Sequence, residues 1–558
     1  MAHRVIVAAL AAAGLTLGGW ERAFGQASGV ANVYFQWTDR LGNTHPLKFT
    51  WTVGYEDDGI FGLEPAGTGF TNSLGVNVFT GTDLTPFDSQ TEFRGNVQGF
   101  LGTAAGVGPY WAKIGPTTAG VYAQDWPLPS GTTYNVADPP GSASFTYTVD
   151  NTTVAGKALG MMQAVDFIGR YYRDAHGLTV PAINVVWSSG IAGSAYYANP
   201  PFAEERIEIE ATDWASWDVI MHEFGHFVAH HNNYSAYVGG AHNFGQETIN
   251  IATPAPGAKL SWSEGVATFL GLLAVHDGNL NAAIPGLPGK DVDAFYDSFA
   301  TPVNDSTQPE NTNIGHRISA EFKGGANDTG ASGPNLGEGD EMSVLRVLWD
   351  VYDSNGDAYA SGSDKAHWGA SDTLGLISGV ETFKDFWDNL AAAALADPSK
   401  VGLAIGDPQP LILGRLGEIL EEYAIGMRPI VDFLQTADTT PTLRFMEQNN
   451  DRSSKMRVIV WNDDFSMIVE DFTGNDTVGL TLWSYDVANA LTVGQTYHWA
   501  VLNNSAMHQG AAPGTLQGWY WSSIHTFEVV PEASTVVLCL TGGVFAMVFV
   551  RRGKPRRA

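Results

Sequence analysis

The apolar residues of this chain change period twice, and that change constrains the fold more than any other feature. From about Gly29 to Val154, short runs alternate apolar and polar side chains, as in Val33-Tyr-Phe-Gln-Trp37, Leu47-Lys-Phe-Thr-Trp-Thr-Val53 and Ala143-Ser-Phe-Thr-Tyr-Thr-Val149, with Gly, Pro, Asn and Asp between them. A period of two turns one face of a strand inward, so this region reads as all β. From Gly156 the spacing is helical: Leu159, Met162, Val165, Ile168, Tyr171 and Tyr172 share one face of a helix of about 20 residues, read as core packing. Ile183–Trp187 and Arg206–Glu210 then read as strands, with Tyr196–Ala198 an edge segment, and a further helix runs from Asp213–Ser216 through His231. From Thr440 to Val530 the period of two returns. Met456–Trp461, Met467–Val469, Leu480–Trp483, Thr496–Val501 and His525–Val529 are strand-like runs that predict a β-sandwich. A helical middle between two β regions makes this a multidomain α+β chain.

The length of 558 residues is more than one hydrophobic core serves. With 59 acidic against 29 basic residues, the formal charge is −30, which disfavours a general attraction to nucleic acid or to an anionic membrane surface. The single cysteine, Cys539, excludes a disulfide framework and every Cys-based metal site. Metal chemistry, if present, falls to His and carboxylates. Residues 1–27 begin with His3-Arg4, continue through an apolar stretch and reach small residues near Gly25 and Ala27; they read as a secretory signal peptide, so the chain is expected to be exported.

The other end, residues 531–558, joins Pro531-Glu532 to mostly apolar residues 535–550 and then to Arg551-Arg-Gly-Lys-Pro-Arg-Arg557. It reads as a transmembrane helix with its basic flank on the cytoplasmic side. This three-part segment resembles the PEP-CTERM sorting signal of bacteria, with Ala533 where the second Pro usually falls. The resemblance implies exosortase-type sorting machinery as a partner and at least transient attachment to the membrane, at the cell surface or in the extracellular matrix. A plain C-terminal anchor is the alternative. Without the two ends, residues 28–530 hold 22 basic and 57 acidic residues, a formal charge of −35.

The helix ending at His231 carries His222-Glu223-Phe224-Gly225-His226. Residues four apart lie one turn above each other, so both imidazoles can converge on one metal ion. In a chain with 14 His this pattern is expected by chance only ~0.01 to 0.02 times. A catalytic zinc takes three protein ligands and lowers the pKa of a bound water to about 7. Glu223 is then placed to accept the proton of that water as general base.

These residues resemble the zincin metallopeptidases. The metzincin branch requires Gly at 229 and His at 232, and the chain has Ala229 and Asn232. The gluzincin branch takes a Glu from a later helix, and Ser261-Trp-Ser-Glu264-Gly-Val-Ala-Thr268 resembles that ligand helix, with Ala267 as the small residue that lets two helices approach. The resemblance implies Glu264 as third ligand. Ser261-x-x-Glu264 also fits a capping box, in which Glu264 would serve only its own helix N-terminus. His242 is the other candidate ligand.

An oxyanion donor is expected among His316, Tyr296, Tyr352 and His242, and sequence leaves the choice open. Asp353-Ser-Asn-Gly-Asp357 with Asp364 partly matches a calcium loop, but position 6 is Ala358 and position 12 is Asp. The strand runs after Thr440, with Leu491–Val501 and Trp521-Ser-Ser, resemble fibronectin type III-like domains, expected to act as a spacer or adhesion module. The expected organisation is a signal peptide over 1–27, a β-rich domain over 28–154, a zincin-like peptidase domain over 155–438, a sandwich over 439–530 and a sorting segment over 531–558. The functional expectation is a zinc-dependent peptidase acting on polypeptides. The alternative is a non-catalytic surface adhesion or extracellular-matrix protein with a degenerate zincin core.

Overall fold

The computed structural model describes residues 27–39, 42–57, 63–83, 90–106, 108–127, 132–137, 141–198, 204–239, 248–249, 253–284, 294–295, 318–320, 337–353, 366–423, 425–430, 434–447, 455–475, 482–504 and 515–531. The signal peptide but for Ala27, the apolar and basic parts of the sorting segment, His242, Tyr296, His316 and the calcium-like loop after Asp353 lie outside the described residues. Among the described residues, no helix is long and apolar enough to cross a membrane.

Ten strands come first: β1 (Ala27–Thr38), β2 (Thr44–Pro46), β3 (Thr50–Asp57), β4 (Leu63–Phe70), β5 (Val76–Asp83), β6 (Gln90–Gly102), β7 (Tyr110–Gly115), β8 (Ala123–Trp126), β9 (Tyr134–Ala137) and β10 (Gly141–Val149). β1 pairs with β10 in parallel and with β2 and β5 antiparallel, forming one sheet. The helix α1 (Val154–Arg170) follows, capped by Thr153, whose hydroxyl accepts from the Gly156 N–H. It ends in a π-helical turn over Tyr171–Ala175. Then come β11 (Ile183–Trp187), β12 (Ala195–Tyr197) and β13 (Arg206–Ile209).

The region up to Val154 does not close on itself. A second sheet runs in the order β12-β13-β11-β7-β6-β3-β4, with β8 and β9 also on β6. β7 and β11 pair in parallel, from Ala112 opposite Ile183 to Gly115 opposite Val186, so the sheet crosses the expected boundary. Leu159, Met162, Val165 and Ile168 bury the face of α1 in one core with Val97, Ile114 and Val185.

The helical middle contains α2 (Trp217–His231), α3 (Pro254–Asp277), α4 (Leu280–Ala283), the short pair β14 (Ala294–Phe295) and β15 (Ile318–Ser319), then α5 (Glu341–Tyr352), α6 (Gly369–Leu376), α7 (Phe383–Ala396) and α8 (Gln409–Glu422). α3 is buried on all sides from Ser261 to Val275. A helix that is apolar all round belongs in the centre of a core, and α2 and α5 flank it there.

The C-terminal strands are β16 (Met427–Ile430), β17 (Gln435–Thr436), β18 (Thr442–Glu447), β19 (Lys455–Asn462), β20 (Ile468–Asn475), β21 (Trp483–Asp486), β22 (Thr496–Asn503), β23 (Tyr520–Trp521) and β24 (His525–Val529). They form sheets of order β16-β18-β21 and β17-β24-β22-β19-β20, with β23 on β22. Between the sheets lies a separate core that includes Leu443, Phe445, Val458, Val460, Val501 and Phe527. The opposite face of the larger sheet contributes Ile459, Trp461, Ala500 and Leu502 to the main core.

Candidate metal centre

α2 and α3 meet where Gly225 faces Ala267. A β-carbon at Gly225 would stand 2.3 Å from the Ala267 carbonyl oxygen, so this approach requires glycine. Ala267, the small residue three positions after Glu264, is fully buried there. The contact brings the two helices' polar side chains together.

The Nε2 atoms of His222 and His226 lie 3.3 and 3.0 Å from Oε2 of Glu264. All three donor atoms fall within 4.8 Å of one another. Ligand atoms held about 2.0–2.1 Å from a tetrahedral ion stand about 3.3 Å apart, so this spacing fits one ion. The side chains are 11, 12 and 8% exposed. A carboxylate in such a dry place needs cationic or hydrogen-bonding partners, and two imidazoles and an ion satisfy it. This group can hold a metal ion.

The outer ring nitrogens have partners of their own. Oγ1 of Thr268 lies 2.9 Å from Nδ1 of His222, and Oγ of Ser263 lies 3.5 Å from Nδ1 of His226. An Nδ1–H that donates to Thr268 leaves the lone pair on Nε2, the tautomer a metal ligand needs. Both hydroxyls come from α3, on either side of Glu264. Thr268 stands four residues beyond Glu264, so helical spacing alone places it on the ligand's face.

Glu223, next to His222 on α2, is 7% exposed. Burial raises its carboxyl to about 7; His222 and the Tyr196 backbone N–H, which donates to it, pull the other way, while Glu264 adds to the rise. Tyr196 sits on β12, the outer strand of the second sheet. A groove of about 1030 Å³ borders that strand, lined in part by Ser188, Ser194, Tyr197 and Arg206.

The capping-box alternative fails. α3 starts at Pro254, so Glu264 lies three turns inside the helix instead of in its first turn. Ser261 donates to the carbonyls of Ala258 and Glu338 and caps nothing. Tyr352 is not at the centre either: its hydroxyl meets Nδ1 of His276 at 2.5 Å. His276 is twelve residues beyond Glu264 on the same helix, about 18 Å along its axis. His231, beyond the motif, is held by Glu205 at 2.8 Å.

No protein-family model, curated protein or solved structure matches this chain.

Proposed function

We propose that this protein is an exported or surface-attached zinc peptidase of gluzincin type, with His222, His226 and Glu264 as ligands and Glu223 as general base. The observation that carries this reading is the convergence of both Nε2 atoms on the Glu264 carboxylate, with Glu223 buried one residue along the same helix. Zinc bound there lowers the pKa of water to about 7 and polarises a carbonyl. Glu223, steadied by the Tyr196 N–H, takes a proton from the attacking water at its carboxylate and returns it to the leaving amine.

The purified protein should contain one zinc per chain and cleave casein. Glu223→Gln should keep the zinc and lose cleavage by about 10²- to 10⁴-fold, the usual worth of a general base. Glu264→Ala should lose the zinc. Metal-free wild-type protein, or unchanged cleavage by Glu223→Gln, would overturn the proposal.

A further inference from the structure

The C-terminal sandwich is seated on the helical domain through buried contacts that lead to the metal-binding helix. Trp519, Tyr520 and Trp521 are almost fully buried. The indole N–H of Trp387 on α7 donates to the Trp519 carbonyl at 2.9 Å. Ser523 donates both its backbone N–H and its hydroxyl to Glu421 on α8, at 2.7 and 2.9 Å. A β-carbon at Gly417 of α8 would stand 2.5 Å from the Ser522 carbonyl oxygen, so backbone lies on backbone. A spacer tied by a flexible linker makes no such contacts.

Two routes run from β23 toward Glu264. The Tyr520 hydroxyl donates to Oε2 of Glu338 at 2.5 Å, and the Glu338 carbonyl accepts from the hydroxyl of Ser261, one turn before Glu264, at 2.7 Å. In parallel, the Tyr520 ring packs against Phe383 and Trp387, and Phe386 on the same helix lies against Trp262, two residues before Glu264. Glu338 belongs to a short 3-10 turn, Gly337–Gly339, whose last carbonyl also accepts from the backbone and hydroxyl of Thr248. That turn is where the sandwich, the segment before α3 and α3 itself are joined.

We infer that Tyr520 is a positioning residue for the metal centre: through Glu338 and Ser261 it fixes the segment of α3 that presents Glu264. The inference rests on the metal-site reading above. It makes the sandwich part of the metalloprotein's working unit, in place of the spacer expected from sequence.

The test uses the full chain with Tyr520→Phe, which keeps the ring and removes only the donor. Zinc affinity is read by competition with a chromophoric chelator, beside thermal unfolding of the metal-free protein. The expected result is zinc binding weakened roughly threefold to tenfold, less than the 10- to 100-fold typical when a group bonded directly to a ligand is removed. Tyr485→Phe is the matched control, because its hydroxyl donates to Glu470 at 2.7 Å and both residues lie within the sandwich. It should lower stability without changing zinc affinity. Ser261→Ala should weaken zinc binding as Tyr520→Phe does, and the double variant should lose less than the product of the two, because both act on one path. Ser261→Ala carries the test alone if Tyr520→Phe does not fold. Zinc affinity unchanged in Tyr520→Phe or Ser261→Ala, or lowered equally in Tyr485→Phe, overturns the inference while leaving the metal site standing. A wild-type chain that binds no zinc overturns both.

Discussion

A single methyl group at position 225 should separate stability from metal binding. In Gly225→Ala the new β-carbon meets the Ala267 carbonyl oxygen at 2.3 Å, and ordinary contact begins at 3.4 Å, so α2 and α3 must part by about 1.1 Å. Ala is favoured over Gly inside a helix by about 0.8–1.0 kcal/mol, whereas overpacking costs about 1–3 kcal/mol. The net loss of stability should therefore be small, about 0–2 kcal/mol. The site has no such compensation. His222 and His226 ride on one helix and Glu264 on the other, and ligand distances tolerate only about 0.2 Å. A displacement several times larger should weaken zinc binding by about 100-fold or more. Gly271→Ala is the internal comparison. Its nearest neighbour across the same pair of helices is the Met221 backbone at 3.4 Å, so the methyl fits and the helix preference should raise stability by up to about 1 kcal/mol, with zinc binding unchanged. Denaturant unfolding of the metal-free proteins and zinc competition titrations measure the two quantities separately. Wild-type zinc affinity in Gly225→Ala would refute the claim that this contact sets the ligand spacing.

Thr268→Val keeps the shape of a residue that is 1% exposed and removes the partner of His222 Nδ1. It should lower zinc affinity about 10- to 100-fold in the same titration, and an unchanged value would mean that the ring is oriented by other contacts. Burial raises the Glu421 carboxyl to about 7, against the opposing pull of Ser523 and Arg428. Its unfolded value is about 4.3, so the native chain holds the extra proton between about pH 4.3 and 7, and stability falls as pH rises through that window. Glu421→Gln can still accept from Ser523 but does not titrate. Its melting temperature should gain on the wild type from pH 5 to pH 8, and parallel curves would count against a buried carboxyl there.

How much of this was legible in the sequence depends on the range of the interaction concerned. Period and capping chemistry are local, so Ile183–Trp187 and His525–Val529 fall on strands with those same limits. The His222 and His226 pair needed only one turn of helix. Glu264 was reached through the residues around it, yet the start of its helix was not. Pro254 and Pro256 stand in the first turn of that helix, where proline is tolerated because its missing N–H has no partner to lose. That displaced start made the capping box look available. The joins between regions left no local trace at all. β7 pairs with β11 some 70 residues away, and Tyr520 meets Glu338 across 182 positions, and neither contact alters the pattern around its own residues. Long-range contacts of this kind turn three stretches of different period into one body. The centre depends on that body: Glu223 takes the N–H of a sheet edge, the histidines stand on α2, and Glu264 stands on a helix enclosed by the rest of the helical domain. Variants that move metal affinity are therefore expected at the contacts between these elements as well as at the ligands.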